Sequence, residues 1–167
     1  MALIITPGPD LVYVLARGMA GGKRAGVISA FGVTSGIFIH TVAAALGLAV
    51  LLQASPTVFN MLKIIGGCYL LFLGWKMVKD TSALNLSVDT EPCTHQKLFT
   101  QGFLSNVLNP KLMLFFVAFL PQFIPQSAPN KSIQMIIYGG IFALLTVMFL
   151  CSLGICAGSI SSWLKER

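Results

Sequence analysis

Charge is scarce in this sequence. Of its 167 residues 10% are charged and five are acidic, whereas a soluble domain carries roughly 25% charged residues. Hydrophobic residues make up 56%. A soluble chain of this length has too little interior to hide several apolar runs of ~20 residues each. A soluble globular domain is thereby excluded, and a lipid bilayer is the expected solvent.

Cysteine is equally sparse. Cys68, Cys93, Cys151 and Cys156 form no C-x-x-C pair, and three of them lie in apolar runs, where a thiol behaves as a small hydrophobe. Neither a disulfide framework nor a metal site is expected, and no cofactor is implied. The N-terminus lacks the basic head and small-residue cleavage site of a signal peptide, so insertion is expected to rely on the spanning segments themselves. The net charge of +6 comes from short Lys/Arg clusters between apolar runs, with no basic stripe or aromatic platform for nucleic acid. Such clusters set membrane topology.

What remains is about five apolar segments, read at residues 1–19, 25–52, 58–77, 103–124 and 133–157 of a single transmembrane domain covering residues 1–167. Gln53-Ala54-Ser55-Pro56 is a tight uncharged turn that makes the second and third segments a helical hairpin. A polar stretch at about residues 79–101 is the one sizeable loop. Arg17, Lys23, Arg24, Lys76, Lys79, Lys97, Lys165 and Arg167 fall on one set of connections and only Lys131 on the other, which places the loop in the cytoplasm and the N-terminus outside. Gly32-x-x-x-Gly36 and Gly154-x-x-x-Gly158 each put two glycines on one helical face, the pattern of close helix packing.

The first segment is interrupted by Thr6-Pro7-Gly8-Pro9-Asp10. Two prolines free backbone carbonyls that need partners where there is no water, and broken helices of this kind line substrate and ion pathways in secondary transporters. A carboxylate in an apolar segment is costly. Asp10 therefore reads either as a group that takes up and releases protons or as the cap of a half-helix N-terminus. Asn109-Pro110-Lys111 repeats the theme near the start of the fourth segment. Lys111 could meet a substrate carboxylate, pair with Asp10 or snorkel to the interface, and Asn106 and Asn109 add hydrogen-bonding groups. His40 shares a face with Gly32 and Gly36 and reads as a titrating relay or an interhelical hydrogen-bonding group. Gln122 is a further polar candidate, whereas Lys63 fits snorkelling. Ser35 and His40 stand five residues apart with no third group to orient the histidine, so no catalytic constellation is found.

Thr6-Pro7-Gly8-Pro9-Asp10, the run Leu62-Lys63-Ile64-Ile65-Gly66-Gly67-Cys68-Tyr69-Leu70-Leu71-Phe72-Leu73-Gly74, and Asn109-Pro110-Lys111 followed by Phe119-Leu120-Pro121-Gln122-Phe123 together resemble the LysE/RhtB family of amino-acid exporters. The resemblance covers nearly the whole chain. It implies an all-α, polytopic transmembrane helix bundle with inverted-repeat transporter architecture in a bacterial inner membrane. It also implies efflux of amino acids such as threonine, homoserine, leucine or lysine, with protons as the coupling ion and possible homo-oligomers. The family's S/T-P-G-P element falls on Thr6 to Pro9 and its N-P-K element on Asn109 to Lys111. Family members usually carry more residues ahead of the first element and a sixth spanning helix, so this chain is expected to be short at both ends. An ion exporter of the wider superfamily would need more ligands than Asp10 and His40 supply. A non-transporting assembly subunit is the remaining alternative.

Overall fold

The computed structural model describes residues 8–54, 56–79, 93–125 and 129–165. Its elements are all helical: α1 (Pro9–Ala54), α2 (Pro56–Lys79), α3 (His95–Val107), α4 (Pro110–Leu114) continuing through a π turn (Phe115–Phe119) and a 3-10 turn (Leu120–Phe123), and α5 (Lys131–Lys165).

The longest element is two helices in one. As a straight rod, the apolar stretch Pro9–Gly47 of 39 residues would run about 58 Å, roughly twice the thickness of a hydrocarbon core. Yet Val14 and Ala30 belong to one buried cluster with Val33 and Leu150, although a straight helix would hold them about 24 Å apart. The chain therefore folds back between them. It does so at Gly22, whose backbone (φ 78, ψ −175) is the non-helical point inside α1. Positive φ of this kind is open to glycine and strained for residues with a Cβ. The first two segments expected from sequence are thus the limbs of a hairpin with a one-residue corner.

Two expected boundaries are corrected. The stretch read as loop gives way to helix at His95, and residues 80–92 lie outside the described ones. The fourth segment, read as one apolar run at residues 103–124, is likewise not one helix. It is a pair, α3 and α4, broken at Leu108 and Asn109, because a residue before proline is driven out of the α region and Asn109 is extended (φ −77, ψ 106). Among the described residues, α1 and α5 are long and apolar enough to cross a membrane, and the bent α3–α4 pair makes a third if it is one span. With α1 folded at Gly22 and α2 added, the five apolar runs are accounted for in an all-α membrane bundle.

Contacts divide the chain into two units, one of Met1–Gly36, Ser82–Asn106 and Ala143–Arg167, the other of Ile37–Thr81 and Val107–Phe142. In the first, α5 packs on the hairpin by backbone approach. Gly158 lies against Gly22 and Lys23, and a Cβ on Gly154 would stand 2.8 Å from the carbonyl carbon of Gly26. Gly18 also faces Gly154, and Leu150 joins Val14, Ala30 and Val33 one turn further on. On the other side α3 is held by Gly102 against the Ser29 carbonyl, by Phe99 against Gly32, and by the Tyr13 hydroxyl donating to the Leu98 carbonyl at 2.7 Å.

In the second unit Gly66 of α2 admits Ala118 of the π turn, and Gly139 of α5 admits Thr41 of α1. The Ser132 hydroxyl donates to the Ala45 carbonyl at 3.1 Å. Phe115 and Phe116 close on Phe142 with ring centroids 5.1 and 5.6 Å apart. Ile64, Leu71, Ile137 and Ile141 are exposed, surface that a bilayer covers and water would not.

Candidate functional site

The Gly8-Pro9-Asp10 stretch is the start of a helix. Pro9 holds the first helical position, where its missing N–H costs nothing, and the Gly8 carbonyl accepts the Val12 N–H at 3.0 Å. Asp10 stands in the first turn, where the positive end of the helix dipole favours a carboxylate. Thr6 and Pro7 lie outside the described residues.

Asp10 meets a partner from the far half of the sequence. The Asn106 side-chain N–H donates to Asp10 Oδ2 at 2.9 Å. Asn106 is fully buried and lies directly against Gly36: a Cβ there would fall 2.5 Å from Asn106 Oδ1 and 2.8 Å from its Cβ. Of the Gly32 and Gly36 pair, then, Gly32 admits the α3 backbone and Gly36 admits the Asn106 side chain. An uncharged amide donor facing a carboxylate in a part-buried, membrane-type setting makes a strong hydrogen bond to the ionised acid.

The second unit contains the same helix-starting device with opposite charge. Asn109 is the N-cap of α4, its Oδ1 accepting the Lys111 N–H at 3.1 Å, and Pro110 follows at the first helical position. Lys111 then occupies the position that Asp10 has in α1. A cation there runs against the helix dipole, so helix stability does not account for the lysine. Asn109 is buried, Lys111 half-buried. His40, also buried, stacks on Phe116 at 6.0 Å between centroids with planes 24° apart.

Gln122 turns back on its own helix, its side-chain N–H donating to the Ala118 carbonyl at 2.8 Å. Pro121 has no N–H to continue the ladder, and the π turn just before it is a local widening of the kind often found at functional sites. The side chain of Lys63 is not among those described. Of the candidate residues, the structure brings together Asp10, Asn106 and Gly36 in one unit and Asn109, Pro110 and Lys111 in the other.

Sequence reasoning passed over a polar strap in the first unit. Arg17, read only as a topology charge, donates to Gln101 Oε1 at 3.0 Å and to Cys93 Sγ at 3.4 Å, with its guanidinium carbon 5.7 Å from the centre of the Tyr13 ring. Tyr13 and Arg17 are one helical turn apart, a spacing that puts them on one face; that was the available signal.

Comparison with known proteins agrees with this architecture. The profile of the LysE type translocator family matches residues 1–167. The chain is 33% identical to the uncharacterized membrane protein YrhP of Bacillus subtilis (strain 168), covering 98% of this chain and 82% of that protein. It is 30% identical to a leucine efflux protein of Enterobacter sp. (strain 638), covering 99% and 79%, and 28% identical to one of Salmonella choleraesuis (strain SC-B67), covering 99% and 78%. No solved structure matches.

Proposed function

The chain belongs to the LysE type translocator family, and from that premise we propose that it exports amino acids, with small apolar ones such as leucine in first place, from the bacterial cytoplasm. It is a multi-pass membrane protein of a family of translocators rather than of enzymes. Support for the substrate class comes from relatives that carry the name leucine efflux protein and align over nearly all of this chain.

The observation that carries the mechanism is the Asp10 carboxylate, set at the first turn of a spanning helix and held by buried Asn106. An acid of this kind is poised to take a proton on one side of the membrane and lose it on the other. Export by proton-coupled alternating access follows, with Asp10 as the exchanging group. Gly36 serves by leaving room for Asn106.

Cells preloaded with labelled leucine, threonine and lysine test the reading. Expression of the chain is expected to speed release of leucine, and Asp10→Asn to abolish the gain. Release unchanged from control cells for all three amino acids contradicts the proposal.

A further inference from the structure

A hydroxyl buried in a membrane helix usually donates to the carbonyl four residues back. The buried Thr34 and Thr41 do so here, both at 2.8 Å, and the less buried Ser152, Ser159 and Ser162 do the same at 2.8 to 2.9 Å. Thr146 does not: it is 6% exposed, and its Oγ1 is buried with no hydrogen-bond partner. A polar atom left unpaired in such a setting is unfavourable, so its retention asks for a ligand.

Its place in the first unit follows from register. The buried stripe of α5 steps through Thr146, Leu150, Gly154 and Gly158, one turn at a time. Gly158 meets Gly22, Gly154 meets Gly18, and Leu150 shares a cluster with Val14. Each turn of α5 is thus matched by one turn of the hairpin's first limb, and the next turn sets Thr146 opposite Asp10. The second limb gives the same answer in reverse order: Gly154 meets Gly26, Leu150 clusters with Ala30, and the next step pairs Thr146 with Thr34. The unpaired hydroxyl therefore lies at the level of the Asp10 carboxylate that Asn106 holds.

We propose that Thr146 is a substrate-binding residue that, together with Asp10, receives the ammonium group of the exported amino acid. An ammonium offers three N–H donors and no acceptor. It needs oxygens around it, and a carboxylate for charge with a free hydroxyl for geometry is a matching pair. Asn106 presents an N–H to Asp10 and so orients that carboxylate. This inference rests on the amino-acid export reading and names a contact within its site.

The test is leucine uptake into inside-out membrane vesicles by the wild type, Thr146→Val, Thr146→Ala and Thr146→Ser. Loss of a hydrogen bond to a charged group predicts a KM raised about tenfold or more in the valine and alanine variants, with maximal rate within about twofold of wild type. Serine is expected to keep a near wild-type KM. Inhibition by 4-methylpentanoate, which has the leucine skeleton without the ammonium, is expected to be equal in all four proteins. Substrate-free Thr146→Val is expected to melt no lower than wild type, because the hydroxyl it removes has no partner. A wild-type KM for leucine in both Thr146→Val and Thr146→Ala overturns the role of Thr146 alone, as does an equal loss of affinity for leucine and 4-methylpentanoate. Wild-type vesicles that take up none of leucine, threonine and lysine overturn the export reading, and this contact with it.

Discussion

The Asp10 carboxylate and the Asn106 side-chain amide, 96 residues apart in sequence, meet at 2.9 Å. One belongs to the first turn of α1 and the other to the last turn of α3, so this single hydrogen bond ties two helix ends together around an ionisable group.

Asn106→Ala is expected to remove that bond and leave a space in the buried layer. A hydrogen bond to a charged acceptor contributes about 1.5–3 kcal/mol, so the variant should melt lower and export at least about tenfold more slowly. Thermal unfolding of the purified protein beside leucine release from cells checks both; wild-type release contradicts the positioning role of Asn106.

Gly36→Ala tests the same junction from the other side. Alanine is the better helix former by about 1 kcal/mol, yet its Cβ would fall 2.5 Å from Asn106 Oδ1. The clash is expected to win and to lower export. Because Asn106→Ala removes Oδ1, the nearest of the clashing atoms, and leaves only the Cβ at 2.8 Å, the double variant should lose less than the sum of the two single losses. Strict additivity in a double-mutant cycle would show that the two residues do not share a seat.

The neighbouring glycines Gly139 and Gly140 should respond with opposite sign. A Cβ at Gly139 runs into Thr41, whereas nothing lies within 4 Å of one at Gly140. Gly139→Ala is expected to cost about 1–3 kcal/mol through overpacking, and Gly140→Ala to be neutral or to stabilise by up to about 1 kcal/mol. Melting temperatures of the two variants decide it.

At α4 the cap can be separated from the charge. Asn109→Ala removes the oxygen that accepts the Lys111 N–H and is expected to cost about 1 kcal/mol, while Asn109→Ser or Asn109→Asp should retain most of the stability. Equal melting temperatures for the alanine and serine variants would contradict a capping role.

The helical membrane architecture was legible because long apolar runs separated by basic clusters have few other solutions. Proline at positions 9 and 110 also marked backbone breaks, since its ring fixes φ and removes a donor, whereas the corner at Gly22 was not legible, because glycine permits a positive φ without requiring it. The pairing of Asp10 with Asn106 was not legible. Both residues stood out singly, but nothing local records which turn of α3 faces which turn of α1. Gly36 was read as a backbone contact because glycine spacing cannot distinguish a neighbouring main chain from a neighbouring amide. The π turn at Phe115–Phe119 gives no sequence signal beyond Pro121 just after its end, and the Arg17 strap was masked by the residue's ordinary use as a topology charge. Thr146 is not marked by the sequence, because nothing local records whether a hydroxyl in an apolar helix finds the carbonyl four residues back.

The measurement that bears most directly on the central claim is leucine release from preloaded cells, with and without an imposed proton gradient, by the wild type and Asp10→Asn. The account predicts release that the gradient accelerates in the wild type and neither release nor acceleration above control in the variant. Release by Asp10→Asn at the wild-type rate, with the same response to the gradient, would contradict it.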